Sequence, residues 1–211
     1  MKTRFTLTSL ALASLMMMGN TAMADVVTSG TSKSFNVKLT LKGSCEVFTV
    51  QSGKTSAIDA AEDEPSGADI NFGSQIAATG SAEIEKSNVG QAANGIEVKC
   101  SKNTVFHVAL QPGNGNTEGL GSMSGLKNTH QDTIPYQLYK PVIDNAGTAA
   151  EAVGNGISPN KWGTNENALS LTSKGLSTPI QLPVYAKIAN GALADKTPDT
   201  YQDRVTVTLT Y

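Results

Sequence analysis

The sequence predicts an all-β sandwich or barrel, and two observations carry that prediction. Every convincing periodic segment after Leu41 alternates apolar and polar residues with the period of two that strands require. Turn formers separate those segments, because Asn-Gly pairs begin at Asn94, Asn114, Asn155 and Asn190 and 20 Gly residues supply positive φ angles. Short strands joined in this way are typical of a sandwich or barrel.

The first 24 residues have the features of a secretory signal peptide. Lys2 and Arg4 precede an apolar stretch, and the small residues of Thr21-Ala22-Met23-Ala24 form a cleavage site before Asp25. A membrane anchor is the alternative, but the apolar stretch is too short to span a bilayer. We therefore expect an exported chain that begins at Asp25.

The next segment, SFNVKLTLKGSC at residues 34–45, is a predicted strand without a local partner. Phe35, Val37, Leu39 and Leu41 share one face, while the residues between them are polar. A strand needs paired backbone groups and a covered apolar face. Pairing within its own sandwich is one way to meet that need, and pairing with another molecule is the other. The preceding DVVTSGTSKS is rich in Ser, Thr and Gly and is expected to order only on capture.

The remaining predicted strands follow in chain order at 96–100, 105–110, 134–139, 180–188 and 204–211. The segment 144–175, which contains Trp162, is predicted to form loops and short strands. In the last strand Val205, Val207, Leu209 and Tyr211 alternate with threonines. No later segment follows that could cover its edge, and such an edge invites pairing with another chain.

Charge and cysteine content narrow the classes of function. Removal of residues 1–24 leaves 14 basic and 18 acidic residues, a net charge of 14 − 18 = −4. Without a basic tract, nucleic-acid binding is not expected, because neutralising phosphates needs clustered Lys and Arg. Cys45 and Cys100 are predicted to form a disulfide, since export places them where disulfides persist. Two buried free thiols are the alternative.

The sequence offers no recognisable catalytic or metal site. His107 is predicted to face outward from a strand and His130 to lie in a polar connection, and neither accompanies a nucleophile motif. Two His and two bridged Cys cannot build an ordinary zinc or copper site. Carboxylates at Asp59, Asp69 and residues 62–64 match no EF-hand spacing, so a charged surface loop is favoured over a calcium site. No enzyme, cofactor or small-molecule substrate is expected.

The order of several motifs resembles the spore coat protein U domain family, which includes subunits of archaic chaperone-usher pili. The motifs are the strand into Cys45, INFG at Ile70 to Gly73, IEVKC, IPYQLY, WG, LPVYAKI and the ending YQDRVTVTLTY, which is the most specific. Together they cover essentially the whole chain after the signal peptide.

The resemblance implies an incomplete immunoglobulin-like sandwich, completed by a donor strand from a neighbouring subunit. It divides the chain into a signal peptide at 1–24, an N-terminal extension with the donor strand at 25–42 and a pilin domain at 43–211. Phe35, Val37, Leu39 and Leu41 would be donated. Val205, Val207, Leu209 and Tyr211 would form the acceptor groove and the edge that binds the chaperone.

The implied function is that of a surface pilus subunit that supports adhesion and biofilm formation. Its partners would be other copies or related pilins, a periplasmic chaperone and an outer-membrane usher, and it would pass through the periplasm to the cell surface. The alternative is a secreted coat-like or carbohydrate-binding sandwich that does not polymerise, although aromatic residues at 5% make a sugar-stacking platform hard to assemble.

Overall fold

The computed structural model describes residues 33–51, 54–55, 68–88, 93–127, 129–146 and 152–211. The predicted signal peptide and the acidic residues 59–64 lie outside them. The chain divides into two units, Met1–Leu41 and Lys42–Tyr211. In the first unit, residues 33–41 have no regular secondary structure, and Phe35, Val37, Leu39 and Leu41 are 85–89% exposed. No helix in the described part of the chain is long and apolar enough to cross a membrane.

Where the structure describes it, the second unit is built from strands and one short 3₁₀ helix. In chain order its elements are β1 Cys45–Gln51, β2 Lys54–Thr55, β3 Ile84–Ser87, β4 Ala93–Cys100, β5 Val105–Pro112, β6 Leu120–Gly125, β7 Thr133–Asp144, β8 Ala152–Lys161, the 3₁₀ helix η1 Asn165–Asn167, β9 Leu169–Thr172, β10 Ile180–Leu182, β11 Tyr185–Ile188, β12 Tyr201–Gln202 and β13 Val205–Thr210. The predicted all-β class is confirmed.

The strands form three antiparallel sheets. The first has the order β10-β4-β1-β2, the second β12-β6-β7-β11-β3 with β8 also paired to β7, and the third β13-β5-β9. Inward side chains of all three contribute to one hydrophobic core. Completion of this sandwich by a strand from a neighbouring subunit stays a prediction.

Strand β5 illustrates how the period of two builds the core. Phe106, Val108 and Leu110 are 0–1% exposed, whereas Val105 and His107 face outward, as predicted for His107. Trp162 is fully buried, and its indole Nε1–H donates a hydrogen bond of 2.8 Å to the Val108 carbonyl oxygen. This bond ties the segment after β8 to the central strand of the third sheet.

The predicted disulfide between Cys45 and Cys100 is present and confirmed, and it joins directly opposed residues of β1 and β4. The bridge therefore fixes the start of β1 to the end of β4. For the 55-residue separation of the two cysteines, the chain-entropy model gives a stabilisation on the order of 4 kcal/mol.

Three predicted elements differ from the structure. The strand predicted over 34–45 has no regular secondary structure at 34–44 in the single chain, where β1 begins only at Cys45. The single strand predicted over 180–188 is divided into β10 and β11, which belong to different sheets, because Pro183 has no N–H to donate and interrupts the ladder. The Val184 N–H donates instead to Asn88 Oδ1 at 3.0 Å. The loops and short strands predicted over 144–175 include the ten-residue β8, whose pairing with β7 is irregular in register.

Candidate functional site: an open cleft between two strand edges

One edge of β13, at the end of the third sheet, has no partner among the described strands. On its other edge β13 pairs with β5, so that Val207 lies opposite Leu110 and Leu209 opposite Val108. The β5 side chains of these pairs are 0–1% exposed, whereas Val207 and Leu209 are only half-buried. An inner face is left partly uncovered where the next strand of a sheet is missing. The inner face of β13 therefore lacks cover on its free side.

Edge position alone does not explain this exposure. Strand β9 stands at the opposite end of the same sheet, yet Leu169 and Leu171 on its inner face are 5% and 3% exposed. The two ends of one sheet thus differ, and the uncovered apolar row belongs to the β13 end.

Strand β1 of the first sheet repeats the pattern. It pairs with β4 along its length, but β2 joins it only at Val50 and Gln51, so residues 45–49 have a free edge in the described part of the chain. Val47 is half-buried, while Val98 opposite it on β4 is 1% exposed. This free edge also carries inward apolar side chains without full cover.

The two strands with free edges, β1 and β13, lie close together, and we call the region between them the open cleft. Its apolar side chains are all half-buried and pack against the core: Cys45, Val47, Val205, Val207 and Leu209. Cα atoms of β1 and β13 approach within 8 Å. Since paired strands lie about 4.7–4.9 Å apart, a strand inserted between the two edges needs about 9.5 Å. Insertion would therefore part the edges at their closest points.

The residues predicted to accept a donor strand belong to one wall of this cleft, and their role as acceptors stays a prediction. Val205, Val207 and Leu209 lie on the cleft side of β13, whereas Tyr211 follows the strand and is 63% exposed. The second wall, Cys45 and Val47, was not predicted. The available signal was their alternation with exposed Glu46 directly after the extension, but only the pairing of β1 shows that the strand has a free edge.

Asp203, in the YQD that begins the C-terminal motif, forms two hydrogen bonds just before β13. The Tyr136 hydroxyl donates to Asp203 Oδ2 at 2.7 Å, and the Arg204 N–H donates to Asp203 Oδ1 at 2.8 Å. Burial, and then the neighbouring carboxylate, raise the pKa of Tyr136 above its usual value, so the hydroxyl stays protonated as a donor. Asp203 thereby links the IPYQLY strand β7 to the residue that precedes β13.

His130 takes part in a second polar contact, which sequence reasoning did not find. Its Nε2 donates to Asp199 Oδ2 at 3.1 Å, and its Nδ1 accepts from the Asp132 N–H at 3.2 Å. Burial alone would raise the pKa of Asp199, but N–H donors from Lys127 and Thr200, together with His130, hold it below its usual value. Both ring nitrogens are engaged, so His130 has no free nitrogen to serve as a general base.

No group of three or more His, Cys, Asp or Glu in the described part of the chain is arranged to hold a metal ion. Four residues of the acidic segment, Asp59 and residues 62–64, lie outside that part, so the hypothesis of a calcium site there stays untested.

The chain is thus an all-β protein in which two strands that lie close together, β1 and β13, each have a free edge and half-buried apolar side chains. It belongs to the Spore Coat Protein U domain family, whose model matches residues 31–208. The predicted family is confirmed. No curated protein matches the chain.

The chain is similar to chains in two solved complexes of pilus or fimbria proteins. One is the CsuC-CsuE chaperone-tip adhesion subunit pre-assembly complex from archaic chaperone-usher Csu pili of Acinetobacter baumannii, with 18% identity, a TM-score of 0.41, and coverage of 82% of this chain and 41% of that chain. Another is a chaperone-tip adhesin complex of CFA/I fimbriae, with 11% identity, a TM-score of 0.38, and coverage of 79% and 41%. The chain therefore spans less than half the length of either relative.

Proposed function

We propose that this chain is a non-enzymatic structural subunit of a surface pilus, assembled by donor-strand exchange in the chaperone-usher pathway. The observation that carries the proposal is the open cleft, where two free strand edges leave a row of apolar side chains half-buried. Strand addition at a free sheet edge supplies main-chain hydrogen bonds for affinity and side-chain contacts for specificity. Membership of the Spore Coat Protein U domain family supports the same function.

The strand that fills the cleft is proposed to come from residues 33–42 of another copy, which we call the donor segment. Phe35, Val37, Leu39 and Leu41 are exposed in the single chain and alternate with polar residues. Burial of each is worth about 1.5–3 kcal/mol before entropy costs, and each main-chain hydrogen bond adds about 1 kcal/mol. These contributions are large enough for a stable contact between subunits.

Each copy would donate at one place and accept at another. Such a contact is head-to-tail and need not close on itself, so repetition gives an open filament rather than a ring of fixed size. Residues 1–24 would direct export, residues 25–42 would form the extension and residues 43–211 the accepting domain. A periplasmic chaperone would first fill the cleft. At an outer-membrane usher, the donor segment of the next subunit would then replace the chaperone. The finished fibre would support adhesion and biofilm formation.

The test compares two chains with the same residues in different order. The mature chain holds residues 25–211, and the rearranged chain holds residues 43–211 followed by a short flexible linker and residues 25–42. We expect the mature chain to polymerise or to be unstable and the rearranged chain to be a folded monomer, because the donor segment can then fill its own cleft. Size-exclusion chromatography and urea unfolding, followed by Trp162 fluorescence, measure both properties.

The control is the rearranged chain carrying Leu39→Lys, which should lose the added stability because a charge cannot be buried in the cleft without cost. Equal stability of the mature and rearranged chains as monomers would contradict donor-strand exchange and favour a secreted sandwich that does not polymerise.

A further inference from the structure

The donor segment and the remainder of the chain carry opposite net charges. The segment contains Lys33, Lys38 and Lys42 and no acidic residue, so its net charge is +3. Residues 43–211 contain 11 Lys and Arg and 17 Asp and Glu, a net charge of 11 − 17 = −6. Opposite charges on two partners accelerate their encounter before short-range contacts form. The donor segment of one copy is therefore attracted to the body of another.

One wall of the open cleft places a carboxylate where it would meet the donor segment. Glu46 stands between Cys45 and Val47 on β1, and its side chain points outward and is exposed. Lys99, which lies opposite Glu46 on β4, is already engaged, because its Nζ is 2.8 Å from Glu97 Oε1 and 5.1 Å from the centre of the Phe48 ring. Glu46 forms no ion pair with a described residue.

The outward side chains of the other wall, β13, carry no charge. On β13 the outward residues Thr206, Thr208 and Thr210 are exposed and neutral. A donor strand seated with Phe35, Val37, Leu39 and Leu41 inward turns Lys38 and Lys42 outward, onto the face that carries Glu46. Lysine side chains reach direct and diagonal neighbours on an adjacent strand.

We propose that Glu46 pairs with an outward lysine of the donor segment from a second copy and that this pair orients and accelerates strand insertion. The inference rests on the proposed function and adds to it a residue that selects a basic donor and makes assembly dependent on ionic strength. The apolar row supplies the stability of the contact, and the charge pair supplies its rate and its preference among donors.

The experiment follows assembly of the mature chain after dilution from denaturant with the disulfide intact. Assembly is carried out at about 10 mM and about 150 mM salt, where the Debye lengths are about 30 Å and 8 Å. The polymer formed is measured as a ladder of bands on unheated gels. The variants are Glu46→Lys, Lys38→Glu, Lys42→Glu and each lysine change combined with Glu46→Lys. Glu166→Lys is the matched control, because Glu166 is exposed on η1, next to β9 at the far end of the third sheet.

At low salt, Glu46→Lys should slow assembly about two- to fivefold, the range that one exposed ion pair supports, and Glu166→Lys should slow it less. One of the combined variants should regain most of the lost rate, and the higher salt should reduce the differences. Urea unfolding of the rearranged chain with Glu46→Lys checks that the variant folds.

The outcomes distinguish failure of the Glu46 pairing from failure of donor-strand exchange itself. If Glu46→Lys is no slower than Glu166→Lys, or neither combination recovers the rate, the inference is overturned while donor-strand exchange stands. If the unaltered mature chain is a stable monomer that forms no polymer, or Leu39→Lys leaves polymer growth unchanged, the proposed function fails and the inference fails with it.

Discussion

At the scale of single residues, Tyr136 and Asp203 connect β7 to the start of the chain's last strand, within its most specific motif. Asp203 accepts one hydrogen bond from the Tyr136 hydroxyl and one from the Arg204 N–H, so it fixes the residue from which β13 starts. Because β13 forms one wall of the open cleft, this contact helps to place the cleft as well as to stabilise the fold.

Replacing Tyr136 with Phe should destabilise the rearranged chain by about 1.5–3 kcal/mol, the usual worth of a hydrogen bond to a charged group. The matched control is Tyr139→Phe on the same strand, whose ring contact with Lys187 Nζ survives the change. Urea unfolding monitored by Trp162 fluorescence measures both variants. Equal effects of the two substitutions would show that the hydroxyl of Tyr136 contributes nothing through Asp203.

The contact between His130 and Asp199 leads to a prediction for acid stability. Asp199 and Asp132 both have pKa values below the ordinary value, Asp132 mainly through its hydrogen bonds from Thr197. The unfolded chain therefore binds more protons than the folded chain as the pH falls below about 4, and the free energy of unfolding should decrease there.

Asp199→Asn should weaken this pH dependence, because the amide cannot titrate. The measurement is the urea midpoint of the rearranged chain at pH 6 and pH 3, with Glu166→Gln as the control for loss of a carboxylate elsewhere. An unchanged difference between the two midpoints in Asp199→Asn would contradict the assigned role.

At the scale of elements, a lysine substitution should have opposite effects on assembly on the two faces of the donor segment. Leu39→Lys places a charge on the face that must be buried, whereas Thr40→Lys places the same charge on the outward face. Assembly of the mature chain should be lost in the first variant and retained in the second, as seen by size-exclusion chromatography. Equal assembly of the two variants would contradict the alternating burial on which the proposed donor depends.

Strand period and turn composition were enough to predict the all-β class, the positions of β4, β5, β7, β10, β11 and β13, and the outward face of His107. They could not predict which strands pair. The change of sheet at Pro183, the contact between Tyr136 and Asp203 across 67 residues and the free edge of β1 all depend on pairing between distant segments. The inward face of Val205 to Leu209 could therefore be predicted from alternation, while the free edge at Cys45 and Val47 could not.

At the scale of the whole molecule, each copy would have one donating and one accepting element, and these can be disabled separately. Leu39→Lys alters the donor segment and leaves the residues of the open cleft unchanged. Val207→Lys alters the cleft on β13 and leaves the donor segment unchanged. Since Val207 is only half-buried, the long lysine side chain can extend its charge toward water, which favours folding of the variant.

Neither variant should polymerise alone, but an equimolar mixture should form a dimer of one copy of each. The Val207→Lys chain can donate to the cleft of the Leu39→Lys chain, and growth then stops because the remaining donor and the remaining cleft are both disabled. Size-exclusion chromatography with light scattering measures the mass, and the unaltered mature chain, which should form a ladder, is the control. Dimers from either variant alone would indicate a symmetric contact in place of a head-to-tail one, and long polymers from the mixture would show that assembly does not depend on these two elements.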